Sequence, residues 1–133
     1  MGWFEEIDHT ADQAIRITAR TLSGLFKSAV QGMYSVMKIS CEKEVAGTRM
    51  ITLSAGDKES LLVEFLSMIL NSVEVQEKVL EIRRILVSAN KLSAMVWEHK
   101  VISLEKSIKA VTYHDLLIHK QGELWQTTII FDV

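Results

Sequence analysis

Carboxylates stand near both ends of the chain. Asp8 and Asp12 bracket the string Asp8-His9-Thr10-Ala11-Asp12, and Asp132 comes one residue before the terminal carboxylate of Val133. In a small domain the two ends can meet as neighbouring strands, and anionic oxygens brought together repel unless a proton or a cation sits between them. A hard divalent cation, Ca2+, Mg2+ or Mn2+, suits aspartate oxygens better than Zn2+, which favours the thiolates and imidazoles that are scarce in a sequence with one Cys and four His. The same residues also fit a turn in which Asp8 or Asp12 accepts backbone N–H bonds. His9 reads equally as a ligand or as an imidazole bonded to backbone. A third polar segment, Lys109-Ala110-Val111-Thr112-Tyr113-His114-Asp115, lies in apolar surroundings. As an extended strand it sets Lys109, Val111, Tyr113 and Asp115 on one face. Tyr113 and Asp115 then support the carboxylates, and Lys109 balances their charge or meets an acidic partner. Alternatively, Thr112 and Tyr113 are half-buried strand residues and Lys109 and Asp115 are solvated.

The elements that must position these groups follow from periodicity. Phe4 to Asp8 and Ala14 to Ala19 are short strand candidates that bracket the first acidic string. From Leu22 the apolar residues Leu25, Phe26, Ala29, Val30, Met33 and Met37 fall at steps of three and four, which predicts a helix capped by Thr21. Arg49 to Ser54 alternates as a strand, and Asp57 caps a second helix whose broad apolar face includes Leu61, Leu62, Phe65, Leu66, Met68, Ile69 and Val73. Val79 to Ser88, Leu92 to Trp97, Val101 to Leu104, Ile108 to His119 and Leu124 to Val133 are rich in β-branched residues, and Gln121-Gly122-Glu123 reads as a hairpin turn. Two helices packed on a largely antiparallel β-sheet, an α+β single domain spanning residues 1–133, is the expected architecture.

Composition limits the function. The 133 residues, 48% hydrophobic and 24% charged, are enough for one self-sufficient core, and the absence of proline leaves no linker by which to divide them. A net charge of −2 gives no basic footprint for phosphate backbones, so any link to RNA is expected to be indirect. The lone Cys41 cannot form an internal disulfide, and its neighbours Glu42 and Glu44 should raise its pKa rather than activate it. The start has no basic and apolar leader pattern, and no apolar run approaches the length of a membrane span. A soluble, cytoplasmic protein is expected. Gly-x-Ser-x-Gly, phosphate-cradling and Cys-x-x-Cys patterns are missing. Trp3, Trp97 and Trp125 read as packing residues, Arg83-Arg84 as solvated surface, and Met33, Met37 and Met68 as core.

Taken in order, these strings resemble the archease family. The residues that carry the resemblance are Phe4 to Asp12, the helix start Thr21-Leu22 with Leu25-Phe26 and Met33, Lys109 to Asp115, and the ending from Trp125 through Phe131-Asp132-Val133. The resemblance implies a compact α+β accessory factor to the RtcB-type RNA ligase, the GTP- and Mn2+-dependent enzyme that joins tRNA halves. Such a factor speeds ligase guanylylation and multiple turnover, makes no bonds itself, and binds a metal, usually assigned as Ca2+. Carried over, the metal ligands are Asp12, Asp132 and the carboxylate of Val133, and the residues for partner contact and activation are Lys109, Asp115, Asp8, His9 and Glu98. Two departures stand out: Trp97-Glu98 replaces a Gly-Glu pair, and Leu104-Glu105-Lys106-Ser107 lacks a histidine often found before the lysine. The rival readings are a small metal-dependent hydrolase, which needs a general base such as His9, His114 or Glu98, and a chaperone-like interaction module.

Overall fold

A computed structural model describes residues 2–7, 12–113 and 115–133. The antiparallel α+β class holds, but the strands divide into two sheets. In the first, β1 (Gly2–Ile7) pairs with β2 (Gln13–Ala19), and β2 pairs with β9 (Leu124–Asp132). The far edge of β9 takes β7 (Ala110–Val111) and β8 (His119–Gln121). In the second sheet the long β6 (Lys91–Ser103) is central, with β5 (Lys78–Ser88) on one side and β4 (Gly47–Ser54) and the short β3 (Ser40–Cys41) on the other.

Both helices begin where their caps predict. The Thr21 hydroxyl accepts from the Gly24 N–H at 2.9 Å to open α1 (Leu22–Met37), an interaction typically worth about 1 kcal/mol. The helix stops at Lys38, whose φ of 50° is left-handed. The Asp57 carboxylate accepts from the Ser60 N–H at 2.7 Å at the start of α2 (Lys58–Glu74), and that bond holds its pKa below the ordinary value. The helices meet through Phe26 and Phe65, fully buried with ring centroids 6.3 Å apart. Truncating either to Ala typically costs about 3–5 kcal/mol. α1 packs on β1 and β2 of the first sheet and on β5 of the second, while α2 covers β4, β5, β6 and β7. Met33 and Met37 are buried as expected, and Met68 packs at the margin of the core. Among the described residues no helix is long and apolar enough to cross a membrane.

Three strand expectations need correction. Leu92–Trp97 and Val101–Leu104 belong to the single strand β6, because both of its flanks find partners along its length. Ser40–Cys41, for which no strand was expected, pairs with β6 as β3. Ile108–His119 is not one strand. After β7 the Thr112 N–H reaches the Ile130 carbonyl at 3.1 Å, then the chain turns: the Leu116 N–H bonds the Tyr113 carbonyl at 3.1 Å and Asp115 has φ 54°. Glu59, in the first turn of α2, accepts the Ile118 N–H at 2.8 Å and ties down the excursion. The alternation assumed for Lys109 to Asp115 is therefore lost beyond Thr112: Val111 is buried and Tyr113 exposed. The Gln121-Gly122-Glu123 turn is as expected, with Gly122 at φ 65°, a conformation glycine adopts without steric cost.

Candidate functional site

The β2–β9 pairing runs up to the residues next to Asp12 and Asp132. Gln13 lies opposite Phe131 and Ala14 opposite Ile130, so Asp12 and Asp132 each follow the last paired position at the same end of the two strands. Alternation then fixes which way the end of β9 points. Ile129 and Phe131 are fully buried and Val133 packs against the same core, so Asp132 between them faces away and is exposed. Apolar anchoring on both sides of Asp132 is thus what presents its carboxylate. β7 brings the third segment to the same place: the Lys109 N–H donates to the Asp132 carbonyl at 2.7 Å, and Ala110 lies opposite Asp132. The Lys109 side chain is exposed and forms no ion pair with the described residues. Thr112, two residues on from Ala110 and so on the same face, has a buried hydroxyl oxygen with no hydrogen-bond partner among the described residues. Carboxylate and hydroxyl oxygens are hard donors, and this donor set fits Ca2+, Mg2+ or Mn2+. Among the described residues no three His, Cys, Asp or Glu side chains converge as a complete ligand set. Asp8, His9 and His114 lie outside the described residues.

Glu98 belongs elsewhere. It sits on β6, opposite Gly47 of β4 and Leu80 of β5, in the other sheet. Its Oε2 accepts from Arg49 Nε at 2.9 Å and Nη2 at 2.6 Å. Arg49 in turn bonds Ser72 Oγ at 3.1 Å and the Gln76 side chain, so the pair joins β6, β4 and the end of α2. Gly47 leaves room for this: a Cβ there would stand 2.7 Å from Glu98 Oε1. The close glycine approach that the sequence lacks before Glu98 is supplied from the neighbouring strand.

Residues 4–133 match the Archease protein family (MTH1598/TM1083). The chain belongs to the archease family. It is similar to the protein archease of Methanosarcina barkeri (strain Fusaro / DSM 804), 32% identical with 98% of this chain and 95% of that protein covered, and to that of Methanosarcina acetivorans, 30% identical over the same shares. In fold it is similar to the crystal structure of "an archease, possible chaperone" from Thermotoga maritima, with a TM-score of 0.72 at 22% identity covering 97% of this chain and 96% of that one. The solution structure of protein 1598 from Methanobacterium thermoautotrophicum aligns with a TM-score of 0.72 at 24% identity, covering 98% of each chain. The described parts of the archease-like strings, Phe4 to Ile7, Asp12, Lys109 to Tyr113 and the segment Trp125 to Val133, distant in sequence, thus come from the β1–β2, β7 and β9 region of one sheet.

This archease-family chain also holds polar groups that sequence reasoning did not single out. His99 of β6 is buried, with Nδ1 3.0 Å from the Glu44 carbonyl and Nε2 2.8 Å from Glu81 Oε1. Glu81 also accepts from Arg83 at 2.8 Å, and these two bonds, the Arg83 bond foremost, lower its pKa. Arg83 is not simply solvated, since its guanidinium carbon lies 3.9 Å from the centre of the Trp97 ring. Cys41 has its pKa raised, as expected, but by burial first and then by Glu81, not by its neighbours in sequence. The Tyr34 hydroxyl accepts the Leu80 N–H at 2.9 Å and its pKa is strongly raised by burial. His99 was findable in sequence only as a histidine amid strand residues, because its partners are 18 and 55 residues away.

Proposed function

We propose that this chain is a metal-binding accessory protein that activates an RtcB-type RNA ligase, promoting its guanylylation and multiple turnover in tRNA splicing or RNA repair, without bond chemistry of its own. Asp12 and Asp132, with the carboxylate of Val133, hold one hard divalent cation, Ca2+ before Mg2+ or Mn2+. Lys109 and Asp115 serve contact with the partner during activation, a role that the family resemblance extends to Asp8 and His9. The observation that carries this reading is the pairing of β2 with β9, which leaves Asp12 and Asp132 at one end of the sheet, together with the Lys109 N–H bond to the Asp132 carbonyl. Family membership supports it. A bound cation would neutralise the carboxylates, and the exposed Lys109 at the same end of the sheet would offer a positive charge to an acidic partner. RNA enters only through the ligase.

A metal-dependent hydrolase needs a general base beside the metal. Glu98 is taken up by Arg49 in the second sheet, which weighs against it. The words "possible chaperone" attached to the Thermotoga structure favour a second reading, a chaperone-like module. Copurification separates the two: one ligase supports the activator, many clients the chaperone. The direct experiment mixes the chain with a cognate ligase, GTP and Mn2+ and follows guanylylation. Substoichiometric chain should raise the rate; no stimulation at any ratio refutes the proposal.

A further inference from the structure

We infer that the outer face of the second sheet is a second contact surface for the ligase, apart from the activating contacts at the carboxylate end, and that it takes an acidic surface of that enzyme which also carries apolar side chains; this rests on the activator reading above. The helices cover only one face of this sheet. Rows such as Leu53-Leu92-Val87 and Ile51-Ala94-Ile85 point inward, so the intervening rows point out. One outward row is Met50-Met95-Arg84 and the next is Thr52-Ser93-Leu86. Met50 and Leu86 are 66% and 64% exposed. The register shift between Ile82 and Arg84 breaks the regular ladder of β5, and beside it lies a groove of about 460 Å³ lined by Met50, Arg84, Leu86 and Met95. One row further, Arg83 is held over Trp97 and leaves the ring half-buried.

Methionine, tryptophan and arginine together are the composition of protein interface cores. Charge selects the partner. This face has Arg83, Arg84 and Lys91 against one acid, Glu81, in a chain whose net charge is −2. Arg83 and His99 already engage Glu81, and Arg84 has no ion pair among the described residues. A phosphate backbone would satisfy the arginines but would leave Met50 and Leu86 without apolar contacts, so the face fits an acidic protein surface better than a nucleic acid.

The test is calorimetric binding of the full chain to a purified cognate ligase at two salt concentrations. The variants are Arg84→Glu, Arg84→Lys, the pair Met50→Ser with Leu86→Ser, and Asp12→Ala, each checked for an unchanged circular dichroism spectrum. Arg84→Glu and the Met50/Leu86 pair should each weaken binding about tenfold or more, Arg84→Lys should keep most of it, and Arg84→Glu should lessen the salt dependence. Wild-type affinity in both weakened variants overturns the inference while the activator reading stands. So does loss of binding in Asp12→Ala alone, which would place docking at the carboxylate end. If the wild type binds tRNA as tightly as the ligase and Arg84→Glu abolishes that binding, the occupant is RNA and the inference falls. Absence of any ligase binding by the wild type overturns both.

Discussion

Glu98 separates an architectural residue from a functional one. Replacing it with Ala removes two charge-assisted hydrogen bonds from Arg49, of 2.6 and 2.9 Å. Such bonds contribute about 1.5–3 kcal/mol each when well shielded. Both end on one oxygen, and the Arg49 and Glu98 side chains keep 27% and 18% of their surface exposed, so screening reduces the total. Arg49 also retains Ser72 and Gln76. A loss of about 2–3 kcal/mol is expected. With an unfolding entropy of about 2.1 cal/mol/K per residue, that lowers Tm by roughly 7–11 °C. Urea denaturation of Glu98→Ala, Arg49→Ala and the double variant should return a coupling of about 1–2 kcal/mol. Gly47→Ala supplies an internal control. In the wild type its Cβ displaces a carboxylate pinned by Arg49, a collision that disappears in Glu98→Ala, so Gly47→Ala should destabilise only when Glu98 is present. Ligase guanylylation by Glu98→Ala, assayed well below its Tm, should match the wild type. Unchanged stability together with lost activation would refute this reasoning and return Glu98 to the functional set.

Titrating Ca2+ calorimetrically into the wild type, Asp12→Ala and Asp132→Asn should show affinity at least about tenfold lower in each variant, the loss of one anionic ligand being worth more than about 1.4 kcal/mol; equal affinities sink the cation site. Adding several residues after Val133 should weaken Ca2+ binding by removing a terminal carboxylate, and an unaltered affinity removes Val133 from the ligand set. Lys109→Ala should reduce guanylylation while shifting stability by about 0.5 kcal/mol or less, since the side chain is exposed; a collapsed melting transition points to a structural role instead. Because Arg83 and His99 depress the folded pKa of Glu81, its contribution is present above the unfolded glutamate value of about 4.3 and is lost as pH falls through the lower folded value. Acid unfolding curves of Glu81→Gln should therefore be flatter than the wild type over that interval, and identical curves contradict the assignment.

That the first and last segments meet as neighbouring strands was legible because polar strings mark both, and because chain ends of a small domain readily become adjacent strands. The detail of the Lys109 to Asp115 segment was not. Its β-branched residues favour extension, but a strand needs a continuous partner, and the turn at Asp115 and the Ile118–Glu59 bond to α2 take the chain off β9 and back again. The pairing of Glu98 with Arg49 was not legible either, for a related reason. Its guanidinium partner lies 49 residues away, and nothing in the local sequence marks the pairing.

Periodicity and capping alone determined α1, α2 and most strands, since a helix or strand is selected by which residues recur on one face and by local hydrogen bonds at Thr21 and Asp57. They also determined that carboxylates occur near both ends of the chain. Tertiary structure decided the division into two sheets, the pairing of β2 with β9 that carries Asp12 and Asp132 to one end of a sheet, and the outward Met50-Met95-Arg84 row. Strand partners are chosen by how whole apolar faces close over one core, and that choice depends on residues tens of positions apart, beyond the reach of any local pattern.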